Sequence, residues 1–225
     1  MPKIKIPKGS PSIDMTPMVD LAFLLVTFFM LSASFRSSEP VDVDIPTSIS
    51  DKIIPENVLL ITIDPGGRVF FNMSDPEARR ELLTNMAGKY QIGFNEEQIK
   101  RFSFMSSFGC TMKELPGYID MEPNARKQFN TPGIPYADST ANAGDNQLKD
   151  WINYGNRAAL NSGKTAFVEA KNQGKNPDAN DYKPKFILRV DSKTLYVHAA
   201  KVIDVFRDLK LNNLNFVTSM ELAPI

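Results

Sequence analysis

The stretch that most constrains this chain is Met18–Phe35, 18 residues in which Asp20 is the only ionisable side chain. As an α-helix rising about 1.5 Å per residue it would be roughly 27 Å long, close to the hydrocarbon thickness of a bilayer. Thr16 suits the capping position of such a helix. Pro17 suits its first turn, where a missing N–H leaves nothing unpaired. A transmembrane helix is therefore expected at 16–36, with a carboxyl group just inside its start. An ionisable group at that depth is costly and by default marks a functional site. Thr27 and Ser34 lie seven and fourteen residues beyond Asp20, which brings both to within about 40° of its direction. Asp20, Leu24, Thr27, Leu31 and Ser34 thus share one seam. A polar seam suits a helix packed among others or lining a narrow wet path, not a lone anchor in lipid.

Charge sets the expected orientation. Lys3, Lys5 and Lys8 precede the apolar run with no acid before Asp14, while beyond it only Arg36 comes before Glu39, Asp42 and Asp44. By the positive-inside rule residues 1–15 are a cytoplasmic tail and the chain from about residue 37 is exported. A cleavable signal peptide would share the basic start, the apolar core and the small residues Ser32-Ala33-Ser34. It would not carry an aspartate at the head of the apolar run, nor have a length suited to spanning, so an uncleaved anchor is expected.

Lys plus Arg and Asp plus Glu both number 26, so no basic field is available for nucleic acid. The single cysteine, Cys110, excludes an internal disulfide framework and is expected to be a small buried residue. His198 is also alone, and is expected near a helix start rather than on a metal. No spacing sets a nucleophile beside a base, and no phosphate-binding glycine loop is present. No enzyme, metal site or cofactor is expected.

Val41-Asp42-Val43-Asp44-Ile45-Pro46 alternates apolar and acidic residues, the pattern of a short strand with one wet face, inside a linker at 37–56. A strand so isolated should pair with a partner chain or a second copy. The spacing then predicts a strand over Val58–Ile63, a turn at Asp64-Pro65-Gly66-Gly67 and a returning strand over Arg68–Phe71. Ser74 or Asp75 is expected to cap a helix in which Leu82, Leu83 and Met86 are buried and Arg79, Arg80 and Glu81 face water. Near the end come a strand over Phe186–Val190, a turn at Asp191-Ser192-Lys193-Thr194, a helix over Ala199–Leu209 and a strand over Leu214–Met220. The fold class expected is α+β: one N-terminal transmembrane helix, then a small mixed α/β domain over 57–225.

Thr16-Pro17-Met18-Val19-Asp20 running into an apolar helix resembles the signature of the ExbD/TolR family, and the likeness extends through the Ile45-Pro46 step. The order of elements in the exported part is similar to that family's periplasmic domain. The resemblance implies an inner-membrane, single-pass subunit with its N-terminus cytoplasmic, energised by the proton gradient. It implies an ExbB/TolQ-like channel partner, a TonB-like or Tol-type envelope partner, and self-association as a homodimer. Asp20 then corresponds to the proton-carrying aspartate. Thr16 and Pro17 are the helix-start motif, Thr27 and Ser34 the polar seam, and Val41, Val43, Ile45 and Pro46 the partner-contact strand.

The chain departs from the family pattern at about 90–183, a mainly helical insertion too long for an ordinary connection. Helices are expected near Glu96–Phe108, Pro123–Phe129 and Asn146–Asn161. Phe102, Phe104, Phe108, Trp151 and Tyr154 are enough for a small core of its own. The expectation is a decoration on one sheet edge, dispensable for folding, with a binding surface for another envelope component as the sharper reading. Two other functions fit the residues alone. One is a stator subunit of a flagellar or gliding-type motor. The other is a membrane-tethered binding module in which Asp20 only holds an oligomer together.

Overall fold

A computed structural model describes residues 16–32, 47–48, 57–136, 146–211, 213–217 and 219–220. The chain divides into two compact units after Ser37. The first holds α1 (Thr16–Ser32), a 17-residue helix. At about 1.5 Å per residue it measures roughly 25 Å. No helix among the described residues is long and apolar enough to cross a membrane. The span expected at 16–36 is therefore not shown. The helix starts where the Thr-Pro step puts it, but Ala33, Ser34 and Phe35 lie outside the described residues.

The second unit is built on a four-stranded sheet, ordered β3-β2-β4-β5. β2 (Val58–Ile63) and β3 (Val69–Met73) form the expected antiparallel hairpin. β4 (Lys185–Val190) lies parallel to β2, and β5 (Leu214–Val217) parallel to β4. A two-residue pairing joins β1 (Thr47–Ser48) to β6 (Ser219–Met220), so the expected last strand is split in two. Strand side chains alternate between faces. Leu59, Ile61, Ile63, Val69, Phe71, Met73, Phe186 and Leu188 accordingly point to one core, shared with helices α2 (Pro76–Tyr90), α6 (Gln147–Asn172) and α7 (Tyr196–Asp208). Asp75 caps α2 by accepting from the Glu77 N–H, with Pro76 at the first position. Ser74, the other candidate cap, accepts from the Val58 N–H instead and ties the end of the hairpin to its start.

The insertion is not a separate decoration. Its first helix, α3 (Glu96–Phe104), stops four residues before the expected end, and Phe108 instead bridges to Phe71 of β3. Phe102, Phe108 and Trp151 are fully buried, with Phe108 and Trp151 ring centroids 4.8 Å apart and Trp151 6.1 Å from Phe71. Aromatic rings bury large areas, and these bury theirs against the sheet, so the expected second core is part of the first. Phe104, expected to join it, is 69% exposed. α4 (Leu115–Asp120), which periodicity did not mark, and α5 (Pro123–Gln128) follow. α6 runs eleven residues beyond the expected end at Asn161, packed along α2.

The insertion also closes the outer edge of the hairpin. Phe71 exchanges both backbone hydrogen bonds with Phe108 (2.8 and 3.0 Å), and the Val69 carbonyl accepts from the Ile134 N–H at 2.9 Å. The Met73 N–H is taken by the side-chain oxygen of Asn72 at 2.8 Å. A bare strand edge is a template for pairing with other chains, and here it is filled from within.

Arg79 corrects the expectation that it faces water. It is only 4% exposed, and its guanidinium donates to the carbonyls of Met105 and Ser106 while lying 5.2 Å from the Phe102 ring centre. Burial pushes its pKa down to about 10, which leaves it charged at neutral pH. With no carboxylate partner among the described residues, the cation is tolerated because two carbonyls and an aromatic face replace its water. The fork thereby fastens the turn after α3 that carries Phe108 to β3.

Candidate functional site

The site expected from sequence lies on α1. Thr16 is the first helical residue and Pro17 the second. Asp20 is fifth, so its carboxylate sits past the free N–H groups of the first turn. It is exposed, and so are Met18, Val19 and the apolar side chains from Leu21 to Val26. Thr27 is half-buried, and its hydroxyl donates to the Leu24 carbonyl at 2.9 Å. Its donor is thus satisfied within the helix. Seven residues of helix place it roughly 10 Å along the axis from Asp20, so the two share a direction without touching. Ser34, Val41, Val43, Ile45 and Pro46 lie outside the described residues. Among described residues of α1, Asp20 is the single group whose polarity depends on a proton.

The second unit holds a polar joint that sequence reading left in separate pieces. Asp64 is buried at the β2–β3 turn, where one carboxylate oxygen accepts from the Arg68 N–H at 2.8 Å and the other from Arg68 Nε at 2.6 Å. Arg68 also donates to Asn130 Oδ1 and to the Thr131 carbonyl, and the Thr194 hydroxyl donates to the Asp64 carbonyl. Tyr136 Oη lies 3.0 Å from the Gly67 carbonyl and 2.8 Å from His198 Nδ1. A carbonyl only accepts, so the phenol donates to Gly67 and His198 Nδ1 carries the proton that the phenol oxygen accepts. Gly67 has φ 77°, and a Cβ there would stand 2.6 Å from the His198 ring. Burial and the Asp64 carboxylate push the Tyr136 pKa up. The hairpin turn, the insertion and the start of α7 are knotted here. Nothing in local spacing announces contacts between residues more than 60 positions apart. His198 stands near a helix start, as expected.

Cys110 is buried and its thiol is pushed up to about 12, first by burial and then by Glu114. At the opposite end of the sheet a cavity of about 770 Å³ is lined by Asn57, Asp75, Ser162, Asp178, Tyr182 and Lys185 among others. Asp75 there is committed to the α2 cap and to the Ser162 hydroxyl. Asn57 Nδ2 donates to the carbonyls of Ala159 and Tyr182, and its Oδ1 is buried without a partner among the described residues.

No curated protein and no solved structure matches the chain. One family model does match, over residues 7–99, and its description is biopolymer transport protein ExbD/TolR. The matched stretch covers under half of the chain: α1 with its Thr-Pro-Met-Val-Asp step, the hairpin, α2 and the start of α3. It breaks off inside α3, close to where the family-like order of elements was expected to be interrupted. From its N-terminal tail to α3, then, this chain is similar over residues 7–99 to the ExbD/TolR family of biopolymer transport proteins.

Proposed function

We propose that the protein is the single-span subunit of a proton-driven energy transducer in an inner membrane. Its N-terminus is cytoplasmic and its second unit periplasmic. The observation that carries this reading is Asp20, an ionisable side chain on a helix otherwise clothed in exposed apolar residues, within the stretch that matches a transport family. Such a helix has to be covered, and the apolar sequence runs on to Phe35, long enough to reach across a bilayer core. In apolar surroundings a carboxylate costs about 3 kcal/mol or more, and the neutral acid far less. Thr27 has its hydroxyl satisfied by Leu24, so Asp20 alone changes its cost with a proton.

A proton crossing about 150 mV carries roughly 3.5 kcal/mol, which biases a two-state tilt or rotation of the helix a few hundred-fold. A pair of these helices within a ring of ExbB/TolQ-like subunits would see the proton path on the Asp20–Thr27–Ser34 side. Motion would pass through the strand at Val41, Val43, Ile45 and Pro46 to the periplasmic unit, and from there to a TonB-like or Tol-type partner. Asp20→Asn keeps the hydrogen-bonding shape and removes the titration. The variant is expected to insert and assemble normally and to lose energy-dependent transport or envelope integrity. Retained function in that variant defeats the reading.

A further inference from the structure

Three large apolar side chains in a row stand out in solvent where β4 gives way to α7. Leu195, Tyr196 and Val197 are 67%, 79% and 59% exposed. The next residues of α7 turn inwards, with Ala199, Val202, Val205 and Phe206 buried. The exposure therefore belongs to the tip of the helix, not to a frayed end. The tip is also held firmly: Thr194 closes a turn onto Asp191 and bonds the Asp64 carbonyl, and His198 is locked to Tyr136. Lys193 and Lys201 are exposed beside the tip, while the flanking acids are engaged, Asp191 being buried and Asp204 paired with Arg207.

We propose that this tip docks on the anionic surface of the bilayer to which the chain is tethered. The inference rests on reading α1 as a membrane anchor. Leucine, valine and above all tyrosine beside lysine is the chemistry of an interfacial contact, the apolar parts entering the headgroup boundary and the cations meeting lipid phosphates. Three side chains are too few for tight binding by a free protein. Only 14 residues separate Ser32 of α1 from Thr47 of β1, which pairs with β6. Fully extended they span about 50 Å, comparable with the diameter of a domain this size. The bilayer is thus always at hand at an effective concentration in the millimolar range, so a weak contact suffices. A protein partner would need a shaped apolar surface, whereas a projecting tip matches a soft, flat one.

The test uses the full chain in vesicles of phosphatidylethanolamine and phosphatidylglycerol. Cys110 is buried with a raised thiol pKa, so a fluorophore can be directed to Ser192→Cys beside the tip, or to Lys175→Cys near the opposite end of the sheet. Nitroxide-headgroup lipids should quench the label at 192 at least about twofold more than at 175. The triple variant Leu195→Ser, Tyr196→Ser, Val197→Ser should bring the two to the same level. Exchanging phosphatidylglycerol for phosphatidylcholine should weaken docking by up to about fivefold per lysine. Equal quenching at both sites, in a chain that co-floats with the vesicles, overturns the docking and leaves the anchor standing. A chain that does not co-float defeats the anchor and the docking together. Shielding at 192 that follows protein density rather than phosphatidylglycerol overturns the lipid contact in favour of a second copy.

Discussion

At the scale of single residues, the two units use polar groups in opposite ways. On α1 the hydroxyl of Thr27 is satisfied by its own helix, which leaves its oxygen as an acceptor on the Asp20 side. Thr27→Leu and Ser34→Leu are accordingly expected to impair energy-dependent function more than Phe28→Leu or Met30→Leu, because only the first pair shares the direction of Asp20. Equal tolerance in transport assays at all four positions would reduce the seam to an accident of composition. In the second unit the telling residue is Cys110. Above pH 9 the unfolded chain's thiol ionises while the folded thiol keeps its proton to about pH 12, so the unfolded state binds fewer protons and stability falls as pH rises. Burial holds the Tyr118 phenol up to about 12 as well, which adds the same slope from pH 10. Denaturant titrations at pH 8 and pH 10 should therefore differ by roughly 1 kcal/mol more in the native chain than in Cys110→Ala.

At the scale of elements, local signals were legible where they were local. Val58–Ile63 is the strand its β-branched run predicts, Asp75-Pro76 starts α2, and the Thr-Pro step starts α1. Arg79 was misread because a charged residue on a helix reads as a solvent face, and the carbonyls that hold it belong to a turn 26 residues away. α6 was read short because Gly163 and its small polar neighbours look like a helix stop. The glycine is instead required by packing, since a Cβ there would stand 2.1 Å from the Tyr182 carbonyl oxygen. Gly88 in α2 has open space around that position. Gly163→Ala is expected to destabilise the protein by about 1–3 kcal/mol and Gly88→Ala to stabilise it by about 0.5–1 kcal/mol, as read by urea unfolding. The same sign for both would mean that helix propensity, not the approach of Tyr182, decides.

At the scale of the whole molecule, the segment expected to be an insertion changes what the second unit is. The resemblance leads to the expectation that residues 90–183 are additional. It does not show which surface they cover, because Phe102, Phe108 and Trp151 would suit a private core as well as a shared one. Their contacts with Phe71 decide it. Replacing residues 91–183 by a short Gly/Ser linker is therefore expected to yield a chain that no longer unfolds cooperatively, since it strips the cover from Leu59, Phe71 and Leu82. A sharp thermal transition in that trimmed chain would restore the two-part division. Truncating Trp151 to Ala alone should cost about 3–5 kcal/mol.

The filled edge of β3 also limits how copies of this protein can add to one another. A sheet open on both sides can be extended without end, and that is the geometry of fibres. Here Phe108, Ile134 and the amide of Asn72 occupy one side of the four-stranded sheet, so among the described strands of that sheet β5 is the flank left for union with another copy. If two β5 strands met about a twofold axis, the described strands of the four-stranded sheet would leave no free flank for a third. The same residues that enlarge the core thus act as a stop on one flank, and growth of the four-stranded sheet by strand addition would end at a pair.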